Sequence, residues 1–350
     1  MAATMKALVK SKPGLDGLNL EQVPIPVPQK GQLLVKVKAC AICGTDLHIQ
    51  YDEYISYPPV ILGHEFFGEI VEMGQDVTGF ELGEHVAAMT ATSTCGQCPA
   101  CKSGFLMRCA KRRSVGSGFN GAMAEYIAIP AAISYKIPQD KWDDLSMAIC
   151  EPLSCAAHLV FNRAEVKAGD IAVVLGPGVL GLATIQLLKL QGAFVIASGT
   201  PVDLERLELA KEMGADEIVS EPSMLKETVL KFASLGADVV YECSGAGSAL
   251  ASAVDICKRG GYIGQLGMFG KPITLDIDQL LIKEVNLNTS FATSCSSWEK
   301  LMRLFEQNKV MTKQLVSTIL PLEDWEKGFS MARNKEGYRI VLLPDASVAK

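Results

Sequence analysis

The chain has 350 residues, 49% of them hydrophobic and 21% charged, enough for about two domains with large buried cores and too apolar for bulk disorder. Its formal net charge of −6 offers no basic field to a polyanion, so nucleic acid is not an expected partner, and the run Lys111-Arg112-Arg113 reads as a solvated loop. No stretch reads as long and apolar enough to span a membrane, and residues 1–12 lack the apolar core of a signal peptide.

The expected location is therefore the cytoplasm, where the 11 cysteines stay reduced and clustered ones serve as metal ligands or buried hydrophobes rather than disulfides. In chain order, a short strand is expected at 5–9. Pro24, Pro26, Pro28 and Gly31 then punctuate further β-like runs at 33–37, 69–72 and 85–89, so the first 155 or so residues read as a mostly β domain. The texture changes after Gly169-Asp170. The apolar run Ile171–Leu175 meets a glycine loop and a helical pattern over Val179–Leu190. Strands follow at 194–197, Glu217–Val219, 238–241 and 262–266, with helical patterns between them at 203–213, 224–235 and 249–258. Short apolar strands alternating with helices imply a parallel sheet with crossover helices. The tail carries a helical pattern at 298–308 and a strand at 339–343 suited to rejoin the first domain.

Three groups of residues carry chemistry. Cys95, Cys98, Cys101 and Cys109 share the segment CGQCPACKSGFLMRC. Four thiolates in one bent loop can close a tetrahedral shell around zinc with no open position, which makes a structural site; an iron–sulfur cluster or free, redox-active thiols are the other readings. Cys43 in CGTDLH, His64 and Glu65 in GHEFFGEI, and Glu151 in EPLS form a dispersed set. Singly, each has an ordinary structural role: a core cysteine, a hydrogen-bonded histidine, a glutamate at a helix start, with Thr45 or Asp46 capping a helix. Gly176-Pro177-Gly178-Val179-Leu180-Gly181 follows a strand and opens a helix. That placement suits close approach of a pyrophosphate to a helix N-terminus.

With these five segments in this order, the chain resembles the zinc-dependent branch of the medium-chain dehydrogenase/reductase superfamily from about Met5 to the C-terminus. EPLSCAAH further resembles the polyol dehydrogenases related to sorbitol dehydrogenase, with threonine dehydrogenases as near neighbours. The resemblance implies an α/β chain: a GroES-like, β-rich catalytic domain from 1–155 and 293–350, and a Rossmann doubly wound parallel-sheet domain over 156–292. It implies one structural and one catalytic zinc, the latter held by Cys43, His64 and Glu151, with Glu65 a conditional ligand. Thr45 would contact the substrate oxygen, and His48 would pass the proton outward.

The nicotinamide cofactor would lie on Gly176, Gly178, Val179 and Leu180, with Gly199, Thr200, Arg206 and Gly267 completing its site. Gly199 stands where NAD-specific relatives usually place an acid. Its lack of charge tolerates a 2′-phosphate and tilts the expectation toward NADP. Phe119 is a candidate wall for the substrate. Residues 290–295, Ser-Phe-Ala-Thr-Ser-Cys, lack the arginine that polyol and threonine enzymes often place there. The expected activity is hydride transfer between a small secondary alcohol, polyol or sugar-derived, and NAD(P), in a homotetramer or homodimer. Amino-alcohol oxidation of the threonine type is one alternative, and a non-catalytic cofactor-binding protein is another.

Overall fold

The computed structural model describes residues 3–345. Alternating burial along β1 (Thr4–Lys10) sends Met5, Ala7 and Val9 into a small core with Ile61 and Ala124. β1 pairs antiparallel with β2 (Leu18–Pro24). The long β3 (Gln32–Ala41) runs through the centre of a second sheet and ends just before α1 (Gly44–Gln50). β4 (Val60–Ile61) completes the first sheet in the order β2-β1-β4. Next come β5 (Glu65–Met73), β6 (His85–Ala88), the short α2 (Pro99–Lys102), β7 (Tyr126–Pro130) and β8 (Ser134–Lys136). The chain then enters α3 (Cys150–Asn162).

Two compact units divide the chain: one runs to Glu151 and resumes at Thr312, and the other is Pro152–Met311. The middle unit opens with β9 (Ile171–Leu175) and α4 (Val179–Leu190), followed by β10 (Phe194–Ser198), α5 (Leu204–Glu212) and β11 (Glu217–Val219). Its second half holds α6 (Leu225–Phe232), β12 (Ala237–Glu242), α7 (Gly247–Ile256), β13 (Cys257–Gln265), α8 (Ile277–Lys283) and β14 (Asn286–Thr289). All five strand pairings are parallel, in the order β11-β10-β9-β12-β13-β14. The apolar runs of β9 and β12 are buried on both faces, as helices covering a parallel sheet require. The order reverses between β9 and β12. That is the switch point at which doubly wound sheets bind their ligands.

The middle unit ends later than the sequence suggests. Residues 293–311, assigned above to the first domain, belong to it and include α9 (Cys295–Glu306). Asn162 Nδ2 donates to Ser294 Oγ and Ser296 Oγ, and Gln186 exchanges two hydrogen bonds with the Met311 backbone. These bonds hold the segment to α3 and α4.

The chain returns to the first unit with β15 (Thr318–Pro321), α10 (Trp325–Arg333) and β16 (Ile340–Leu343). β16 pairs with β3 at Val341↔Ala41 and Leu342↔Cys40, closing the order β15-β16-β3-β5-β6-β8, with β7 on β3. The membrane expectation needs one correction. Leu145–Asn162 is an 18-residue stretch long and apolar enough to cross a bilayer, but most of it is buried inside the protein. The run was hidden in sequence because a short tight helix over Leu145–Ile149 leads directly into α3, joining two apolar segments.

Candidate active site and metal centres

Strand register builds the first site. Ala41 at the end of β3 pairs with Glu65 at the start of β5, so the turn after β3 meets the turn before β5. Cys43 lies in the first turn and His64 in the second. Gly63 has φ +91°, and a Cβ there would fall 2.6 Å from Cys40 Sγ, so only glycine can set His64 in place. The ligand atoms of Cys43, His64 and Glu65 lie within 4.8 Å of one another.

Asp46 organises this corner. Fully buried on α1, it accepts from Cys43 N at 2.9 Å and Gly63 N at 3.2 Å, and its Oδ1 is 3.7 Å from His64 Nδ1. Burial alone would lower the His64 pKa, but the Cys43 sulfur and the Asp46 carboxylate raise it well above its ordinary value. Glu65 sits inside the protein with Oε1 3.4 Å from Arg339 and Oε2 without a partner among the described residues. Arg339 heads the apolar β16 and donates to Ile42 O at 2.8 Å. Burial works against its charge, but Glu65, Cys43, Glu151 and Asp46 together raise its pKa.

Three carboxylates and a thiol surround one guanidinium. A buried carboxylate oxygen with no partner among the described residues, beside a thiol and an imidazole, fits a divalent cation of the zinc type. Glu151, buried in the first turn of α3, is near enough to act on Arg339 but lies outside the three-residue cluster. The residues brought together are thus Cys43, His64 and Glu65. Sequence reasoning missed Arg339 and gave Asp46 only a capping role; a lone arginine heading the apolar run at 340–343 was the available signal.

Thr45 and His48 share one face of α1, three residues apart. Thr45 Oγ1 is 3.8 Å from Cys43 Sγ. The His48 side chain is 45% exposed, with Nδ1 2.8 Å from Glu53 Oε2. Phe119, 43% exposed, lines a separate apolar hollow with Met5, Val9, Val23 and Pro59. None of Cys43, Thr45, His48 and His64 lines that hollow.

The four cysteines form a second cluster, also within 4.8 Å of one another. Sulfur separations are 3.5 Å for Cys98–Cys101, 3.7 Å for Cys95–Cys109 and 3.9 Å for Cys95–Cys101. A tetrahedral shell with Zn–S of about 2.3 Å has edges of about 3.8 Å, so the thiols already stand at zinc spacing. Backbone N–H groups of Gln97 and Cys98 help lower the Cys95 pKa to about 6, which favours the thiolate that binds metal.

In the middle unit, Gly176 has φ +95°, and a Cβ on it would meet Ser244 Cβ at 2.6 Å. Gly178 faces open space at the N-terminus of α4, where no side chain caps the free N–H groups at Val179 and Leu180. This glycine cradle at the switch point fits a dinucleotide pyrophosphate. Gly199 ends the β10 turn, with Asp203 Cβ 3.0 Å from the place its Cβ would take. Asp203 Oδ2 accepts from Thr200 N at 3.1 Å and Thr200 Oγ1 at 2.7 Å, and Oδ1 lies 3.4 Å from Arg206. Gly267 follows β13, and a Cβ there would meet Gly245 N at 2.2 Å.

Comparison with known proteins agrees with both halves of this picture. The family described as alcohol dehydrogenase GroES-like domain matches residues 29–139, and the one described as zinc-binding dehydrogenase matches 179–307. The chain is 36% identical to a sorbitol dehydrogenase of Halalkalibacterium halodurans, over 97% of this chain and 99% of that one. It is 35% identical to an L-threonine 3-dehydrogenase of Bacillus licheniformis, over 98% and 100%. A zinc-binding dehydrogenase of Sinorhizobium meliloti, solved with NADP bound, superposes with a TM-score of 0.89 at 32% identity, covering 98% of this chain and all of that one.

Proposed function

This chain belongs to the zinc-dependent medium-chain dehydrogenase family, in its polyol-like branch, and from that membership we propose that it oxidises a secondary alcohol of a polyol or sugar-derived substrate to the ketone. The observation that carries the reading is the convergence of Cys43, His64 and Glu65 next to Thr45, in a chain that also has the Gly176 cradle. When bound, zinc supplies Lewis-acid polarisation of the substrate oxygen, and NAD(P) accepts or returns the hydride.

The protein's own residues do the rest. Cys43 and His64 hold the metal. Glu65 and Glu151 are the carboxylates within its field, and Arg339 restrains Glu65. The Thr45 hydroxyl would accept the proton of the substrate hydroxyl while passing its own proton on toward His48, which, held by Glu53 at the surface, would release a proton to solvent. The four-cysteine lobe takes a second, structural zinc. The cofactor is NADP: Gly199 presents no acid to a 2′-phosphate, Asp203 is occupied by Thr200 and Arg206, and the Sinorhizobium relative was solved with NADP. Copies of the chain pair through the open edge at β14, beside which Leu281 is 75% exposed and Ile277 and Ile282 are also bare.

Metal analysis should give about two zincs per chain, and a panel of polyols, sugar phosphates and amino alcohols with both cofactors should show a polyol preferred with NADP. One zinc per chain with no cofactor reduction would overturn the enzyme reading. Oxidation of threonine ahead of every polyol would favour amino-alcohol chemistry, the second reading raised by the Bacillus relative.

A further inference from the structure

Glu242 is the last residue of β12 and is completely buried. It pairs in register with Leu175, one residue before the cofactor loop. Its Oε1 accepts from Ser244 N at 2.8 Å, Gly245 N at 3.0 Å and the Ser244 hydroxyl. Its Oε2 accepts from Gln265 Nε2 at 2.6 Å, and that amide also donates to Gly267 O at 2.7 Å. The Glu242 carbonyl takes Leu266 N and Gly267 N, so one residue ties the loop after β12 to the loop after β13.

Every polar neighbour of the carboxylate is a donor. Even the Ser244 hydroxyl gives its proton to Glu242, since its oxygen accepts from Ala246 N at 3.1 Å. Backbone amides, a hydroxyl and a side-chain amide are the groups from which a carboxylate accepts. Among the described residues no lysine or arginine pairs with it. An unpaired buried carboxylate is costly and calls for another use.

Its location supplies one. A doubly wound sheet binds one mononucleotide half on each side of its switch point. Here β9–β11 carry the pyrophosphate cradle and Gly199, which leaves the nicotinamide riboside to the loops after β12 and β13, where Glu242 is the buried charge. The nicotinamide ring is cationic when oxidised and neutral once it has received a hydride. We propose that Glu242 sets the balance between oxidised and reduced cofactor, holding the oxidised form more tightly through its buried negative charge. This rests on the reading of the middle unit as a nicotinamide dinucleotide site.

The test is equilibrium binding of NADP⁺, NADPH and 2′-phospho-ADP-ribose, with their NAD counterparts, to the wild type and Glu242→Gln. The expected result is a loss of about tenfold in affinity for the oxidised cofactor, with the reduced cofactor and the ring-less fragment nearly unchanged. Glu242→Asp, which keeps the charge, should restore most of the difference. Equal weakening of all three ligands would show a structural brace and overturn the proposal while leaving the dinucleotide reading intact. Failure of the wild type to bind any of them would overturn both. If Glu242→Gln does not fold, Ser244→Ala serves, since it removes one donor from the carboxylate and leaves its charge less compensated. It should tighten the oxidised cofactor relative to the reduced by about two- to threefold, and an unchanged ratio would overturn the proposal.

Discussion

The two candidate metal sites of the first unit are built in opposite ways. The cysteine lobe takes all its ligands from one loop, Cys95 to Cys109, and its four sulfurs already stand near the edges of a zinc tetrahedron. The Cys43–His64–Glu65 centre draws on the ends of two paired strands and is restrained by an arginine at the head of a third. A shell closed by four thiolates has no position for a substrate and organises only its own loop. A mixed shell assembled from distant segments can leave a place open, and it depends on sheet register for its geometry. The difference is why the proposed chemistry is assigned to the centre with the larger sequence separation.

The largest expected effects test that division. His64→Ala should remove one zinc per chain and lower turnover by about 10³-fold or more, since the metal contributes several kcal/mol to the reaction barrier. Cys98→Ser combined with Cys101→Ser should also remove one zinc, but lower the unfolding midpoint by more than about 5 °C while folded molecules keep turnover within about tenfold. Zinc per chain, thermal unfolding and rate per folded molecule read both outcomes. A lobe variant that keeps its midpoint and loses turnover would break the contrast. Thr45→Ala sharpens it within the catalytic centre: turnover should fall about 10²- to 10⁴-fold with zinc content unchanged, the scale of a lost general acid–base group. Loss of zinc along with activity would make Thr45 a support for Cys43 instead of a proton carrier.

The same contrast governs what could be read from sequence. Local features were legible: the four-cysteine loop, the alternation of β9 to β13 with helices, and the Gly176 cradle each occupy a few consecutive residues. β14 was not, because its Asn-Leu-Asn-Thr carries almost no apolar signal and is made a strand by pairing with β13. The late end of the middle unit was missed because side-chain bonds from Asn162 and Gln186, remote in sequence, decide where α9 belongs. In the active centre, single ligands could be named by resemblance. The Asp46 contact with His64, the Arg339 restraint on Glu65 and the place of Phe119 in a separate hollow depend on long-range register, which no local pattern records.

The smallest expected effect asks what makes a buried histidine a metal ligand. His64 and His85 both lie inside the same unit; His64 precedes β5, and His85 opens β6 of the same sheet. His64 has Cys43 and Asp46 beside it, and its pKa is raised. His85 stacks on Trp142 at 4.5 Å, and burial followed by Lys38 lowers its pKa to about 4, against a backbone hydrogen bond at Gly83 and the pull of Asp143. Burial is common to both, so anionic company is what distinguishes the ligand. The unfolded chain protonates this histidine first as pH falls. The His85 contribution to stability is therefore full above about 6.5 and is lost progressively toward pH 4. His85→Phe, which preserves the stacking, should flatten the decline of urea-unfolding stability across that window and leave zinc content and turnover at neutral pH unchanged. An identical decline in the variant would move the acid sensitivity to other groups. Loss of zinc would show that His85 supports the metal centre, and the separation between the two histidines would not stand.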